Sequence, residues 1–93
     1  MNPIVQLKKE DIASIRFSHT DVLANPVSVL LREKDMERAL ILGNLEHTKV
    51  RITFMDLYQS TYEVETTVWA ITEESICLKG HLYLPKKAVL SLC

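Results

Sequence analysis

The sequence predicts an α+β domain that is mainly β: an N-terminal helix, or two, followed by a small, strongly bent five-stranded antiparallel barrel. Three observations carry this expectation. Near residue 44 the pattern changes, from charged residues mixed with leucines at helical spacing to β-branched and aromatic residues alternating with polar ones. The later stretch "YEVETTVWAIT" is long for a strand, and its second face (Glu65, Thr67, Trp69, Ile71) loses polarity along its length. A strand that starts exposed and curls until both sides meet protein has that pattern. Finally, 47% of the residues are hydrophobic, and there are only two glycines and three prolines, a composition too apolar and too short of breakers for disorder. Ninety-three residues fit one domain, 1–93.

Residues 1–24 are the least patterned. Ile12, Ile15 and Leu23 fit a short amphipathic helix, Ser18, His19 and Thr20 interrupt it, and a strand remains an alternative. The helix at 25–43 is better marked. Asn25 is an N-cap, Pro26 suits the first helical position, where a missing amide hydrogen costs nothing, and Gly43 with Asn44 offers a left-handed end. Val27, Leu30, Leu31, Met36, Ala39, Leu40 and Leu42 read as a broad buried stripe, with Arg32, Glu33, Lys34, Asp35, Glu37 and Arg38 on the wet side.

The barrel is expected over 49–93. "KVRITFMDL" alternates, with Val50, Ile52 and Phe54 on one face, and "DLYQSTY" is a loop or hairpin turn. The long strand follows, with Val64, Thr66, Val68 and Ala70 on its first face and Trp69 placed beneath the helix. "TEES" is a turn and "ICLKG" a short strand. "HLYLPKKAVLSL" is a strand broken by a brief turn at Pro85, which cannot donate to a ladder, before a final strand through Val89, Leu90 and Leu92.

The segment "ICLKGHLYLPKKAVLSL" resembles the end of Sm-like and SH3-like barrels, in which a hairpin leads through a one-turn helix into the closing strand, and the preceding helix favours the Sm-like version. "ALILGN", "KVRITF", "VETTVWAIT" and "LKG" followed by "YLP" are also similar, in order and type over 39–92, to a group of short bacterial proteins without an established activity. The resemblance implies a small β-rich fold. The chain departs from the Sm pattern in the RNA-contacting loop residues, for which it has no clear counterpart.

Function is constrained mostly by exclusion. A formal charge of −1 is not that of a strongly basic protein, so nucleic acid would have to meet a local patch. "MNPIVQLKKEDIASI" has neither the charged leader nor the apolar run of a signal or membrane span, and a cytoplasmic location is expected. No glycine-rich phosphate loop is present, and no cofactor or metal is expected. His19, His47 and His81 stand apart, and Cys77 reads as a small buried side chain. The paired carboxylates Glu63 and Glu65 could in principle serve a small enzyme together with a histidine, but two acids near a turn are more often solvated, as are Glu73 and Glu74.

Two surfaces remain. Lys49, Arg51, Lys79, Lys86 and Lys87 with Tyr83 form a candidate nucleic-acid patch, the bases meeting phosphates and the ring stacking on a base. Leu30, Leu31, Ile41, Leu90 and Leu92 form a candidate protein interface, because the apolar surface exceeds what one small barrel covers and small barrels also pair through their last strand. The expectation is a non-enzymatic small-barrel binding or assembly module whose partners are proteins, itself included. An Sm-like binder of single-stranded RNA is the alternative.

Overall fold

A computed structural model describes residues 3–93. Strand β1 spans Ile4–Gln6, a 3₁₀ turn Lys9–Ser14, helix α1 Pro26–Glu46, and strands β2 Val50–Met55, β3 Thr61–Thr66, β4 Val68–Ile71, β5 Ser75–Leu78 and β6 Leu82–Pro85. A second 3₁₀ turn, Lys86–Ala88, leads into β7, Val89–Leu92. The chain is thus α+β with one main helix, as its pattern predicts, and no described helix is long and apolar enough to cross a membrane.

The strands form two sheets, in the orders β1-β3-β2-β7 and β4-β5-β6. The expected closed five-stranded barrel is not formed. The long strand is divided at Thr67, where the chain passes from one sheet to the other; the Lys79 amide donates to the Thr67 carbonyl at 3.0 Å, beside the β4–β5 ladder. At the opposite seam, Pro85 lacks an amide hydrogen and the 3₁₀ turn after it steps the chain from β6 to β7 without a ladder between them. The seventh strand comes from the N-terminal segment: β1 adds in parallel to β3, with Ile4 opposite Thr61 and Gln6 opposite Glu63. Within residues 3–24, therefore, a strand and a 3₁₀ turn take the place of the amphipathic helix, and Ile12 alone of these described residues is fully buried.

In the space between the sheets, Ile52, Phe54, Val64, Val68, Ile76, Leu78, Leu84 and Val89 are excluded from water. The alternation in β2 is the one the sequence predicts, with Val50, Ile52 and Phe54 inward. Helix α1 packs against β4 and β7 and closes one side of this interior. Its start matches expectation: Asn25 Oδ1 accepts the Val27 amide at 2.8 Å, and Pro26 opens the helix. Its end lies further on, at Glu46, with His47 rather than Gly43 in the left-handed conformation at φ 55°.

The face that α1 buries also differs from expectation. Arg32, Met36, Ala39 and Gly43 point inward, a series at i, i+4, i+7 and i+11, while Val27, Leu30 and Leu31 point to solvent. Apolar residues occupy both sides of this helix, so periodicity alone does not choose between them. The small residues decide: Ala39 and Gly43 let the helix axis approach the strands closely, which a face of leucines does not allow.

Candidate functional site

The outward face of α1 is the first candidate. Val27, Leu30, Leu31, Ile41 and Leu45 are between 55% and 77% exposed on a well-capped helix whose other side is sealed against the sheets. Between them on the same face lie the exposed Lys34 and Arg38, the latter 3.9 Å from Asp35. Three of the five predicted interface residues, Leu30, Leu31 and Ile41, are therefore available to a partner. Leu92 is not: it is buried against the core, opposite Ile52, and Leu90 is half-buried beside it on β7. Leu45 was missed because it follows Gly43 and Asn44, which read as the helix end.

Arg32 anchors this helix from below. Its guanidinium donates to both carboxylate oxygens of Asp21, at 2.8 and 2.6 Å, and to the Val89 carbonyl at 3.0 Å. Asp21 Oδ1 also accepts the Leu23 amide at 2.9 Å. The hydrogen bond from Arg32 holds the Asp21 carboxyl below its ordinary range, against the opposing pull of burial. One side chain thereby fixes the entering loop, the helix and the last strand together.

The predicted nucleic-acid patch is divided. Lys49 and Lys79 meet at a cavity of about 330 Å³ together with Lys8 and Lys9, which sequence reading left out, above Thr66 and Thr67 at the strand break. Lys86 and Lys87 lie at the other end of the β5–β6 hairpin, lining a separate cavity of about 370 Å³ with His19, Glu73 and Glu74. Arg51 faces Glu65 across the β2–β3 ladder at 3.6 Å, and Tyr83 stands 58% exposed on the three-stranded sheet. The dipeptide "KK" at 8–9 was the available signal for the missed lysines, but only the β1–β3 pairing carries it toward Lys49.

Trp69 is not sealed from water, as full burial beneath the helix would require. It is 39% exposed and meets the His81 ring edge-on, with centroids 5.3 Å apart. Through the bend Val68 keeps the inward face of Val64 and Thr66, and Trp69 keeps the exposed face of Glu65; Thr67 departs from the alternation by turning inward, and Ala70 departs after it, where the register of β4 against β5 shifts between Val68 and Ala70. Glu63 accepts from Gln6 at 3.0 Å and Glu65 faces Arg51, so each acid is engaged on the outer surface of the four-stranded sheet and neither shares a lining with a histidine. His47 caps α1. Cys77 is buried, as expected, and Cys93 is exposed. Among the described residues, no group of three or more histidine, cysteine or acidic side chains is arranged to hold a metal ion.

These features define a small two-sheet α+β protein with an uncovered aliphatic helix face and a separate lysine-lined cavity. Compared with known protein families, curated proteins and solved structures, the chain matches none.

Proposed function

We propose that the protein is a non-enzymatic binding and assembly module that works through protein–protein contacts, itself included as a partner, and that its contact surface is the outward face of α1. The observation that carries this reading is the set of aliphatic side chains Val27, Leu30, Leu31, Ile41 and Leu45 on one helix face, each more than half exposed, in two groups with Lys34 and Arg38 between them. Single exposed aliphatics are ordinary, but a set on one helix face is surface that water covers at a cost and a partner covers with a gain. The scaffold beneath is of the Sm-like or SH3-like kind. A helix ahead of the strands, a second strand that bends at Thr67 and a 3₁₀ turn before the last strand support that reading.

Light scattering over a range of concentrations is expected to return a multiple of the 10.7 kDa chain mass. Ile41→Glu, which puts a charge on that face without touching the core, should return the single-chain mass with an unchanged circular dichroism spectrum. A single-chain mass for the unaltered protein at every concentration would sink the proposal.

A second reading, binding of single-stranded RNA, draws on the convergence of Lys8, Lys9, Lys49 and Lys79 at one cavity. It predicts an affinity that falls with salt, with a logarithmic slope of about −0.7 for each phosphate neutralised. Lys49→Glu with Lys79→Glu should abolish binding, and Lys86→Glu with Lys87→Glu, at the far end of the hairpin, should leave most of it. No detectable binding at low ionic strength removes this reading.

A further inference from the structure

From the convergence of Lys8, Lys9, Lys49 and Lys79 we infer that the cavity they line binds a compact anion carrying two or more phosphate groups, held between the N-terminal segment and the body of the fold. The inference is independent of the reading of α1 as a contact surface.

Charge is the first observation. Four of the chain's eleven basic residues line this one cavity of about 330 Å³, and the acids in its lining are Glu10 and Glu65. Four positive charges against two negative leave the lining at +2, in a chain whose formal charge is −1. Glu65 is moreover engaged by Arg51 at 3.6 Å. None of the four ammonium groups has a carboxylate of a described residue within 4 Å. Like charges gathered without partners repel, and an anion that enters relieves the repulsion.

The fold gathers these lysines from three stretches of chain. Lys8 and Lys9 arrive with the N-terminal segment, which lies on the body through three residue pairs of β1 with β3 and the bond from the Leu7 amide to the Glu63 carbonyl at 2.9 Å. Lys49 immediately precedes β2, and Lys79 immediately follows β5. Lys9 is half-buried and reaches the turn between β5 and β6, where its Nζ would lie 3.8 Å from a Cβ placed on Gly80. An ammonium of the N-terminal segment thus stands at the turn that carries Lys79. A ligand touching both ties the segment to the body.

The lining also selects the chemistry. Lysine offers a point charge with three rotatable donors, which suits phosphate oxygens that radiate in all directions, whereas the fork of arginine that matches planar carboxylates is missing from the lining. Four ammonium groups from three chain segments call for several anionic groups rather than one. Thr66 and Thr67, both buried, add hydroxyl-bearing side chains. No aromatic side chain lines the cavity, so a nucleobase finds no ring to stack on, and single-stranded RNA would be held by its phosphates alone. The volume is that of a small-ligand site, for which roughly 300–1,000 Å³ is usual.

The experiment is isothermal titration calorimetry of the full chain with inorganic tripolyphosphate, at low ionic strength and without divalent cations. Saturable binding of one anion per chain is expected, weakening as salt is added. Lys49→Gln and Lys79→Gln should each weaken it about tenfold, the value of one hydrogen bond to a charged group. Lys86→Gln with Lys87→Gln, at the far end of the hairpin, should leave it unchanged, and circular dichroism checks that every variant folds. Adenosine triphosphate should bind about as tightly as tripolyphosphate, and adenosine and citrate should not bind. Amide exchange at Leu7 should slow when tripolyphosphate is bound. No saturable heat, equal losses from the two lysine pairs, citrate binding as tightly as tripolyphosphate, or unchanged exchange at Leu7 in the bound state overturns the inference. Oligouridine binding through Lys49 and Lys79 without any binding of tripolyphosphate overturns it too, and gives the cavity to RNA. None of these readings depends on the mass measured by light scattering, so failure here is distinct from failure of the contact proposed for α1.

Discussion

Asp21→Ala is expected to cost about 3 kcal/mol of stability, because it leaves the Arg32 guanidinium buried beneath α1 with no counter-charge. Breaking a buried ion pair from one side typically costs about 3–5 kcal/mol, and the lower end applies because the Asp21 side chain retains 27% exposure and Arg32 keeps its bond to the Val89 carbonyl. For a domain of this size the change lowers the melting temperature by roughly 15 °C. Arg32→Met, which removes the charge and keeps most of the volume, should cost less than Asp21→Ala, since an apolar replacement leaves no orphaned cation. Equal or reversed losses in thermal denaturation would show that the pair is not what holds the entering loop to the helix.

The same pair sets a pH dependence. The carboxyl of Asp21 is depressed in the folded protein, chiefly by its hydrogen bond from Arg32, so the unfolded chain takes up this proton first as pH falls. Its stabilisation is complete above the ordinary aspartate value and is lost as pH falls through the depressed one. Asp21→Asn should therefore flatten the acid limb of the stability curve and leave the neutral-to-alkaline limb unchanged. A variant that keeps the full acid slope would assign that slope to other carboxylates.

Gly43→Ala is the second large effect, and its sign is the test. Alanine inside an exposed helix is worth about 1 kcal/mol over glycine. Here the added Cβ would stand 2.3 Å from the Val68 carbonyl oxygen and 3.1 Å from Thr67 Cγ2, and the first of these is backbone at the strand break. The helix must lift from β4 or the bend at Thr67 must open, and overpacking of this kind costs about 1–3 kcal/mol, more when backbone has to move. A net loss of about 2 kcal/mol is expected in chemical denaturation. Asn44→Ala, one residue along and exposed, should instead gain a few tenths. Stabilisation of Gly43→Ala to the level of an open helix would contradict the close approach of α1 to β4.

Val50, Ile52 and Phe54, Asn25 with Pro26, and Pro85 were legible because each acts through the chain next to it: alternation, a cap and a missing amide are local facts. The inward face of α1 was not. Arg32 belongs to a charged run and looks solvated until Asp21, eleven residues earlier, folds back over it, and Gly43 looks like a helix end until Val68 is placed against it. The parallel addition of β1 to β3 joins residues more than fifty positions apart, and no pattern within "NPIVQLKK" announces it. The candidate site was half legible for the same reason: Leu30, Leu31 and Ile41 were identified as surplus apolar residues, but Leu92 and the grouping of the lysines depend on which face turns inward.

The amino-acid sequence by itself determined the class, the helix start, the inward face of β2 and the presence of exposed aliphatic residues on the helix. Only the tertiary structure decided that the strands part into two sheets at Thr67 and Pro85, that Trp69 is left part-exposed, and that the helix lies on its small residues with Leu30, Leu31 and Leu45 in water. The physical reason is that local patterns rank conformations of short segments, whereas the choice between two apolar faces of one helix is made by packing distance, which depends on the partner surface and not on the helix.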